Sequence, residues 1–432
     1  MFKNASIISA GLIVAILISF FNQEYVVFPL LVFFIGLFTG IAFFVLSKED
    51  DRNFLAGLFF TAFLTRIIAS VFLYNFALLF NIGHFGHLGD GHGYSESGYS
   101  ILQLWRSGIR DVDIITKSVL SASHSGNLGS YDFWNAIVYF VTGKSPVSLM
   151  FINCSVSSLT IFPIYYITKQ FSSRKSAIVA AFLTAFWPSI FMWSIQNLKE
   201  SLNIFLITIL IWAVVQLKIK FRFYLLFLIA LSSIALKELR LVSFLVFYAV
   251  IFPVSLILFL WKKNRVLFIF LLLLAGAGLV VVINSYLNSS LLEYINYART
   301  VRAFGKTAFL SNLDISNPIS FIFFTPIALL VAWLAPFPWQ VGSMSQITAM
   351  PEMLLYYLLL PAMFFGWRFI MRHKIGEGGI IIVYIFIMMI VLAFIEGNIG
   401  TLFRHRAMVL PLMFILIGIG HEKIKFKITA HN

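Results

Sequence analysis

Along this 432-residue chain, apolar runs of about twenty residues alternate with short polar or basic breaks. A helix of that length matches the ~30 Å hydrocarbon core of a bilayer. Only within a helix does each backbone N–H and C=O of such a run find a partner in its own segment. The pattern predicts spans near 7–21, 26–46, 54–80, 146–168, 176–194, 200–217, 223–237, 241–261, 266–284, 353–371, 379–395 and 407–420. The stretch 318–335 is also apolar, but Pro318, Pro326, Pro336 and Pro338 bound or interrupt it. It is expected as a re-entrant or interfacial element; a full crossing would make it a thirteenth span. Polar residues collect in 81–145, 285–317, 336–351 and 396–406. Inside the first of these, apolar spacing predicts two short amphipathic helices, Tyr99–Trp105 and Tyr131–Val141. The organisation read from this pattern is two N-terminal spans (1–53), a main membrane module (54–420) and a basic tail (421–432). The module holds a first large loop at 81–145 and a second loop with the re-entrant region at 285–351.

Composition supports the class: 60% of residues are hydrophobic and 11% charged, against about 25% charged in soluble domains. The net charge of +14 does not point to nucleic acid, because the basic residues lie in short clusters between spans. Lys169–Arg174–Lys175, Lys218–Lys220–Arg222, Lys262–Lys263–Arg265, Arg368–Arg372–Lys374 and Lys423–Lys425–Lys427 all fall on one side of an all-α polytopic bundle of about twelve (11–13) helices. Placing that side in the cytoplasm puts both termini inside and the long polar segments outside. The first span follows Lys3 and leads to Asn22-Gln23-Glu24, with no small-x-small cleavage signal, so it is expected to be retained. The single cysteine, Cys154, allows no disulfide within the chain and no cysteine metal cluster.

Candidate chemistry gathers in the outer segments. "GHFGHLGDGHGYSESGY" (83–99) sets Asp90 among glycines that permit a tight bend and close approach of a ligand. Tyr94 and Tyr99 offer rings to a sugar, and His92 lies beside them. A carboxylate at the membrane boundary is partly desolvated, which raises its basicity and suits a general base. On position alone, a solvated aspartate in a turn is the stronger reading. His84, His87, Asp90 and His92 also have close ligand spacing, although histidines in glycine-rich loops are commonly just solvated. No cofactor is required by the sequence, and a divalent cation is compatible with it. Arg66 lies mid-span, where a charge needs a cavity or a partner. "QNLKES" contributes Lys199 and Glu200, which could equally snorkel to headgroups. "YARTVRAFG" contributes Arg299 and Arg302; "FRHRAMVLP" contributes Arg404, His405 and Arg406. Arginines on the outer side run against the positive-inside tendency, and a phosphate would compensate them. Lipid headgroups would serve the same need, and "APFPWQ" (335–340) suits an interfacial aromatic belt.

Taken in order, "GDGHGYSESGYSILQLWRSG" (89–108), the region 143–207 and "FRHRAMVLP" resemble the GT-C superfamily of membrane glycosyltransferases. The likeness is nearest to the bacterial branch that includes protein mannosyltransferases and lipid A aminoarabinose transferases (family 39-like). The resemblance spans about 54–420 as pattern rather than identity. It implies a GT-C-like bundle in the bacterial cytoplasmic membrane with an outward-facing site. The implied reaction moves a sugar from a polyprenyl-phosphate donor to a glycan, lipid or protein acceptor. Asp90 would be the base; Arg404 and Arg406, with Lys199, would hold the lipid phosphate; Tyr94, His92, Tyr99, Glu200, Arg299 and Arg302 would border the substrate. The chain departs from the pattern in that two spans precede the one entering the catalytic loop and Gly91 stands where a second acid is usual.

Two other functions fit the same pattern. A Wzy-like polysaccharide polymerase or O-antigen ligase would depend on the outer arginines and leave Asp90 incidental. A transporter or flippase for a lipid-linked substrate would need charges lining a path and, often, an internal repeat. Arg66 fits such a path, but the two halves show no clear repeat.

Overall fold

A computed structural model describes residues 27–46, 51–80, 90–122, 128–248, 291–340 and 344–429. The spans expected at 7–21 and 266–284, most of the one at 241–261, and His84 and His87 lie outside the described residues. In chain order the helices are α1 (Val27–Leu46), α2 (Arg52–Phe80), α3 (Asp90–Arg106), α4 (Val112–Ala122), α5 (Ser130–Thr142), α6 (Pro146–Leu159), α7 (Ile161–Phe171), α8 (Arg174–Phe186) and α9 (Pro188–Ser194). They continue as α10 (Glu200–Ile219), α11 (Phe223–Leu239), α12 (Leu241–Val246), α13 (Leu291–Arg302), α14 (Pro318–Leu334), α15 (Met344–His373), α16 (Ile375–Ile395), α17 (Ile399–Arg406) and α18 (Leu410–Thr429). Among the described residues no strand occurs; a single bridge joins Ala308 and Asn398.

The described residues are all-α, and among them five helical segments are long and apolar enough to cross a membrane: Arg52–Phe80, Pro146–Phe171 (α6 with α7), Glu200–Ile219, Gln346–His373 and Ile375–Ile395. Two bent pairs raise this to as many as seven: α8 with α9, bent by 47°, and α17 with α18, bent by 61°. Proline explains the first break, since Pro188 starts α9 and cannot donate to the preceding turn. The count of twelve reaches beyond the described residues. Of the stretch 318–335, Pro318–Leu334 form one 17-residue helix that passes through Pro326. At 1.5 Å per residue it reaches only ~25 Å, short of a straight crossing.

The chain divides into two units. The first comprises Met1–Phe162 with Ala185–Phe205; the second comprises Pro163–Thr184 with Leu206–Asn432. In the first, α2 lies along α6, and Phe59, Phe63 and Phe162 build an aromatic seam with ring centroids 5.5–5.9 Å apart. α3 crosses α5 where a Cβ on Gly98 would stand 2.5 Å from the Cβ of Asn135, so only glycine fits. In the second, α15 and α18 cross at Gly366 and Gly420, backbone to backbone.

The first loop shows the largest local difference from expectation. The glycine-rich run was expected as a bend before a short helix at Tyr99, yet α3 starts at Asp90 and takes in Gly91, Gly93 and Gly98. Glycine lowers helix propensity by ~1 kcal/mol per residue. Here packing decides: Gly91, Ser95, Ser97, Gly98, Ile101 and Leu102 form a buried face spaced at three and four residues. α5 falls where the second amphipathic helix was expected, and α4, between them, was not foreseen.

Candidate functional site

Asp90 is the first residue of α3 and is exposed. A carboxylate there faces the positive end of the helix dipole. The next carbonyl, that of Gly91, accepts from Asn197 Nδ2 at 3.0 Å. Asn197 Oδ1 in turn accepts from the Tyr131 hydroxyl at 2.8 Å. Asn153 Nδ2 closes the network: it stands 3.0 Å from the Tyr131 hydroxyl, 2.8 Å from Gln196 O and 2.9 Å from Leu198 O. Tyr94, one turn beyond Asp90, meets Tyr131 edge-to-face at 5.0 Å, and the Lys199 ammonium stands 6.0 Å over its ring. Three stretches far apart in sequence (90–94, 131–153 and 196–200) are thus tied into one polar cluster of the first unit.

Two members of this cluster were not foreseen. Asp132 is 3% exposed, and its Oδ2 accepts from Gly129 N–H at 2.8 Å at the start of α5. Burial pushes its carboxyl above the usual range, against the opposing pull of the Gly129 N–H, Lys199 and Ser97. Burial likewise holds the Tyr131 phenol far above its ordinary value, with Glu200 adding to the shift. Both signals were present in the sequence. Gly129-x-x-Asp132 is a helix-start pattern with an acid three residues on, and Asn153 is an amide in an otherwise apolar run. Glu200 is 1% exposed, so it is part of the interior rather than snorkelling.

Tyr99 belongs elsewhere. Five residues from Tyr94, it is turned by about 140° around the helix. It packs on Tyr139 at 6.5 Å and under the Lys144 ammonium at 4.3 Å. Lys144 also pairs with Glu96 at 3.1 Å. His92 is partly buried on α3.

The turn 195–199 is anchored from below by Arg66, which is fully buried in α2. Its Nε donates to Ser194 Oγ at 3.0 Å and its Nη1 to Ala62 O at 3.1 Å; Ser70 Oγ donates to Ile195 O at 2.9 Å. The mid-span charge therefore holds the break between α9 and α10.

The anchoring makes Asn153 a sensitive position. Asn153→Leu keeps the approximate volume but leaves Gln196 O, Leu198 O and the Tyr131 hydroxyl without their donor. Each unmet buried group costs ~1–3 kcal/mol. With three such groups the variant is expected to lose about 3 kcal/mol of stability or more, read as a lower melting temperature of the detergent-solubilised protein.

In the second unit the four arginines singled out from the sequence, Arg299, Arg302, Arg404 and Arg406, differ in their contacts. Arg299 on α13 is fully buried. It donates to Leu313 O at 3.1 Å, Phe309 O at 2.6 Å and Leu310 O at 2.5 Å, with Phe324 4.8 Å beneath its guanidinium. Leu310 sits in the left-handed region at φ 47°, a conformation unfavourable for a branched residue, so Arg299 fastens a strained turn. Burial lowers the basicity of its guanidinium. Arg302 donates to Ala298 O of its own helix at 2.7 Å. Arg406, 2% exposed, donates to Trp333 O at 3.1 Å and Ala335 O at 2.8 Å. These are carbonyls at the end of α14, which the helix itself leaves without partners. Arg404 is partly buried on α17. Beside it, His405 Nδ1 lies 2.8 Å from Glu396 Oε1. Asn398 starts the helix: its Oδ1 accepts from Gly400 N at 2.8 Å and Thr401 N at 3.1 Å, and its Nδ2 donates to Phe304 O at 2.7 Å.

The same unit holds an apolar cavity of about 220 Å³, lined by Trp333, Phe364, Trp367, Phe386 and Leu416 among others. Its lining suits a hydrocarbon chain, and Trp333 links it to Arg406. Among the described residues no three His, Cys, Asp or Glu side chains gather as a metal-ligand set; His84 and His87 lie outside them.

With this geometry in hand, comparison with known proteins adds no relative: no family model matches the chain, and no curated protein or solved structure matches it.

Proposed function

We propose that the protein is a membrane glycosyltransferase of the GT-C type, moving a sugar from a polyprenyl-phosphate donor to a hydroxyl acceptor on the outer face of the bacterial cytoplasmic membrane. The observation that carries this reading is the polar cluster of the first unit. There the helix that begins with Asp90 is hydrogen-bonded through Gly91 to the turn leading into Lys199 and Glu200, with Tyr94 and Tyr131 beside it. In this reading Asp90 takes the acceptor proton. Attack at the anomeric carbon breaks its bond to the phosphate oxygen, and the phosphate leaves with the electron pair. Cations stabilise the charge that develops on it. Lys199, within the same cluster, serves this role. Glycan, lipid and protein acceptors all fit the chemistry.

The test is transfer itself. Membranes carrying the protein, given a polyprenyl-phosphate sugar, are expected to pass that sugar to an envelope component, seen by mass spectrometry as the added hexose or pentose. A panel of donors and acceptors yielding no transfer, with substrate instead crossing sealed vesicles unaltered, would replace this reading with transport.

A further inference from the structure

Within the second unit, α15 and α18 share an apolar cavity and a basic rim that the proposed reaction does not use. The floor of the cavity is buried, built by Ile382 and Ile385 of α16 and Leu416 of α18. Its mouth is open: Phe364 of α15 is 50% exposed and Phe386 of α16 is 43% exposed. None of the lining side chains is charged. An apolar cavity of this kind stays dry and takes an apolar occupant. Beside helices long and apolar enough to cross a membrane, the apolar molecule at hand is a lipid chain.

Directly beyond the mouth, α15 turns basic. Phe364, Arg368 and Arg372 follow at four-residue spacing, which sets them in one row on the helix surface, and all three are exposed. A helical side chain covers the turn N-terminal to its own Cα, which for Arg368 is the turn of Phe364. Arg299 and Arg406 spend their guanidinium groups on carbonyls; among the described residues Arg368 and Arg372 have no hydrogen-bond or ion-pair partner. α18 adds a third cation to the row. Lys423 Nζ stands 4.5 Å over the ring of Phe369, which follows Arg368 on α15. The adjacent Glu422 is taken up by hydroxyls: its Oε2 accepts from Ser172, Ser173 and Ser176 at 3.0, 2.7 and 2.6 Å. From Trp367, which lines the cavity, to Arg372 the helix rises ~7.5 Å. That is about the depth of the headgroup layer on one side of a bilayer, ~5–8 Å. Apolar groove, tryptophan and cations thus follow the order of hydrocarbon, interface and phosphate.

We propose that this face binds an anionic glycerophospholipid of the bilayer, with one acyl chain in the groove and the phosphate against Arg368 and Arg372, Lys423 beside them. Guanidinium forks match phosphate oxygens, and basic pockets between membrane helices hold acidic headgroups. A zwitterionic lipid brings the same chains but meets the phosphate with its own cation. The inference goes beyond the glycosyltransferase reading and does not depend on it.

Purified full-length protein in phosphatidylcholine nanodiscs tests this. Brominated phosphatidylglycerol or brominated phosphatidylcholine is added in steps, and tryptophan fluorescence is followed. The chain carries nine tryptophans; the groove signal is the part of the quenching that Trp333→Phe/Trp367→Phe removes. In the wild type that part is expected to reach its half-point at about a tenfold lower fraction of the anionic lipid than of the zwitterionic one, the scale of two basic residues at a membrane surface. Arg368→Gln/Arg372→Gln should bring the two lipids level. Lys220→Gln/Arg222→Gln removes the same charge at another break of this unit and should keep the preference. All four residues are exposed, so both variants should melt with the wild type. An undiminished preference in the Arg368/Arg372 variant would overturn the site. Equal loss in both pairs would also overturn it, leaving only diffuse attraction of a basic surface for acidic lipid. Quenching that is the same with and without Trp333 and Trp367 would overturn the groove as the seat of the chain. Sugar transfer is not read in any arm, so these outcomes leave the glycosyltransferase reading to its own test.

Discussion

Asp90→Asn is expected to lower sugar transfer by about 100- to 10,000-fold, the range a positioned general base supplies, with the protein still folded and in the membrane. The separation of activity from stability follows from where Asp90 sits. It is exposed at the first position of α3. Its structural contribution is the helix-dipole interaction, ~0.3–1 kcal/mol, and asparagine is a comparable residue at a helix start. The melting temperature should therefore barely move. Asp132→Asn offers the contrast. That carboxylate is buried, bonded to Gly129 N–H and close to Lys199, so its replacement should reduce stability along with activity. Initial rates of transfer measured beside melting curves distinguish the two acids. A polymerase or ligase would reverse the ranking, with Arg404→Ala severe and Asp90→Asn mild.

The helices were legible because a bilayer leaves the backbone no alternative: every described span expected from hydrophobic runs is helical. The association of Asp90 and Tyr94 with the 196–200 turn was anticipated only through a resemblance of order. Its physical cause, the bonds made by Asn153 and Asn197, required coordinates, since an amide in an apolar run does not declare its partners. The arginines were the least legible. In sequence, a cation beside a span reads alike whether it meets a phosphate or the orphan carbonyls of a helix end. Arg299 and Arg406 meet carbonyls, and Arg302 returns to its own helix. The glycines of 89–98 were read as a bend because propensity is local, whereas the crossing of α3 over α5 at Gly98 is tertiary. The Glu396–His405 pair spans nine residues around a helix start, a separation that no periodicity marks.

Gly420→Ala is expected to cost about 3 kcal/mol or more, a large effect for the addition of one methyl group. A Cβ on Gly420 would lie 1.7 Å from the carbonyl oxygen of Ala362, and one on Gly366 would lie 1.8 Å from that of Leu416. These are backbone atoms, so no rotamer change relieves the clash; α15 and α18 must separate by more than an ångström. Ala362 and Gly366 are one turn apart on α15, as Leu416 and Gly420 are on α18. That is the small-residue spacing by which membrane helices approach closely, where van der Waals contact rather than hydrophobic burial supplies the attraction. Separation forfeits that contact along the whole crossing. Gly36→Ala and Gly57→Ala provide the control: both lie in helices, both would point a Cβ into open space, and both should be neutral or slightly stabilising through helix propensity. The measurement is the temperature at which half of each detergent-solubilised variant loses its monodisperse peak. A Gly420→Ala protein that melts with the wild type would refute the close crossing.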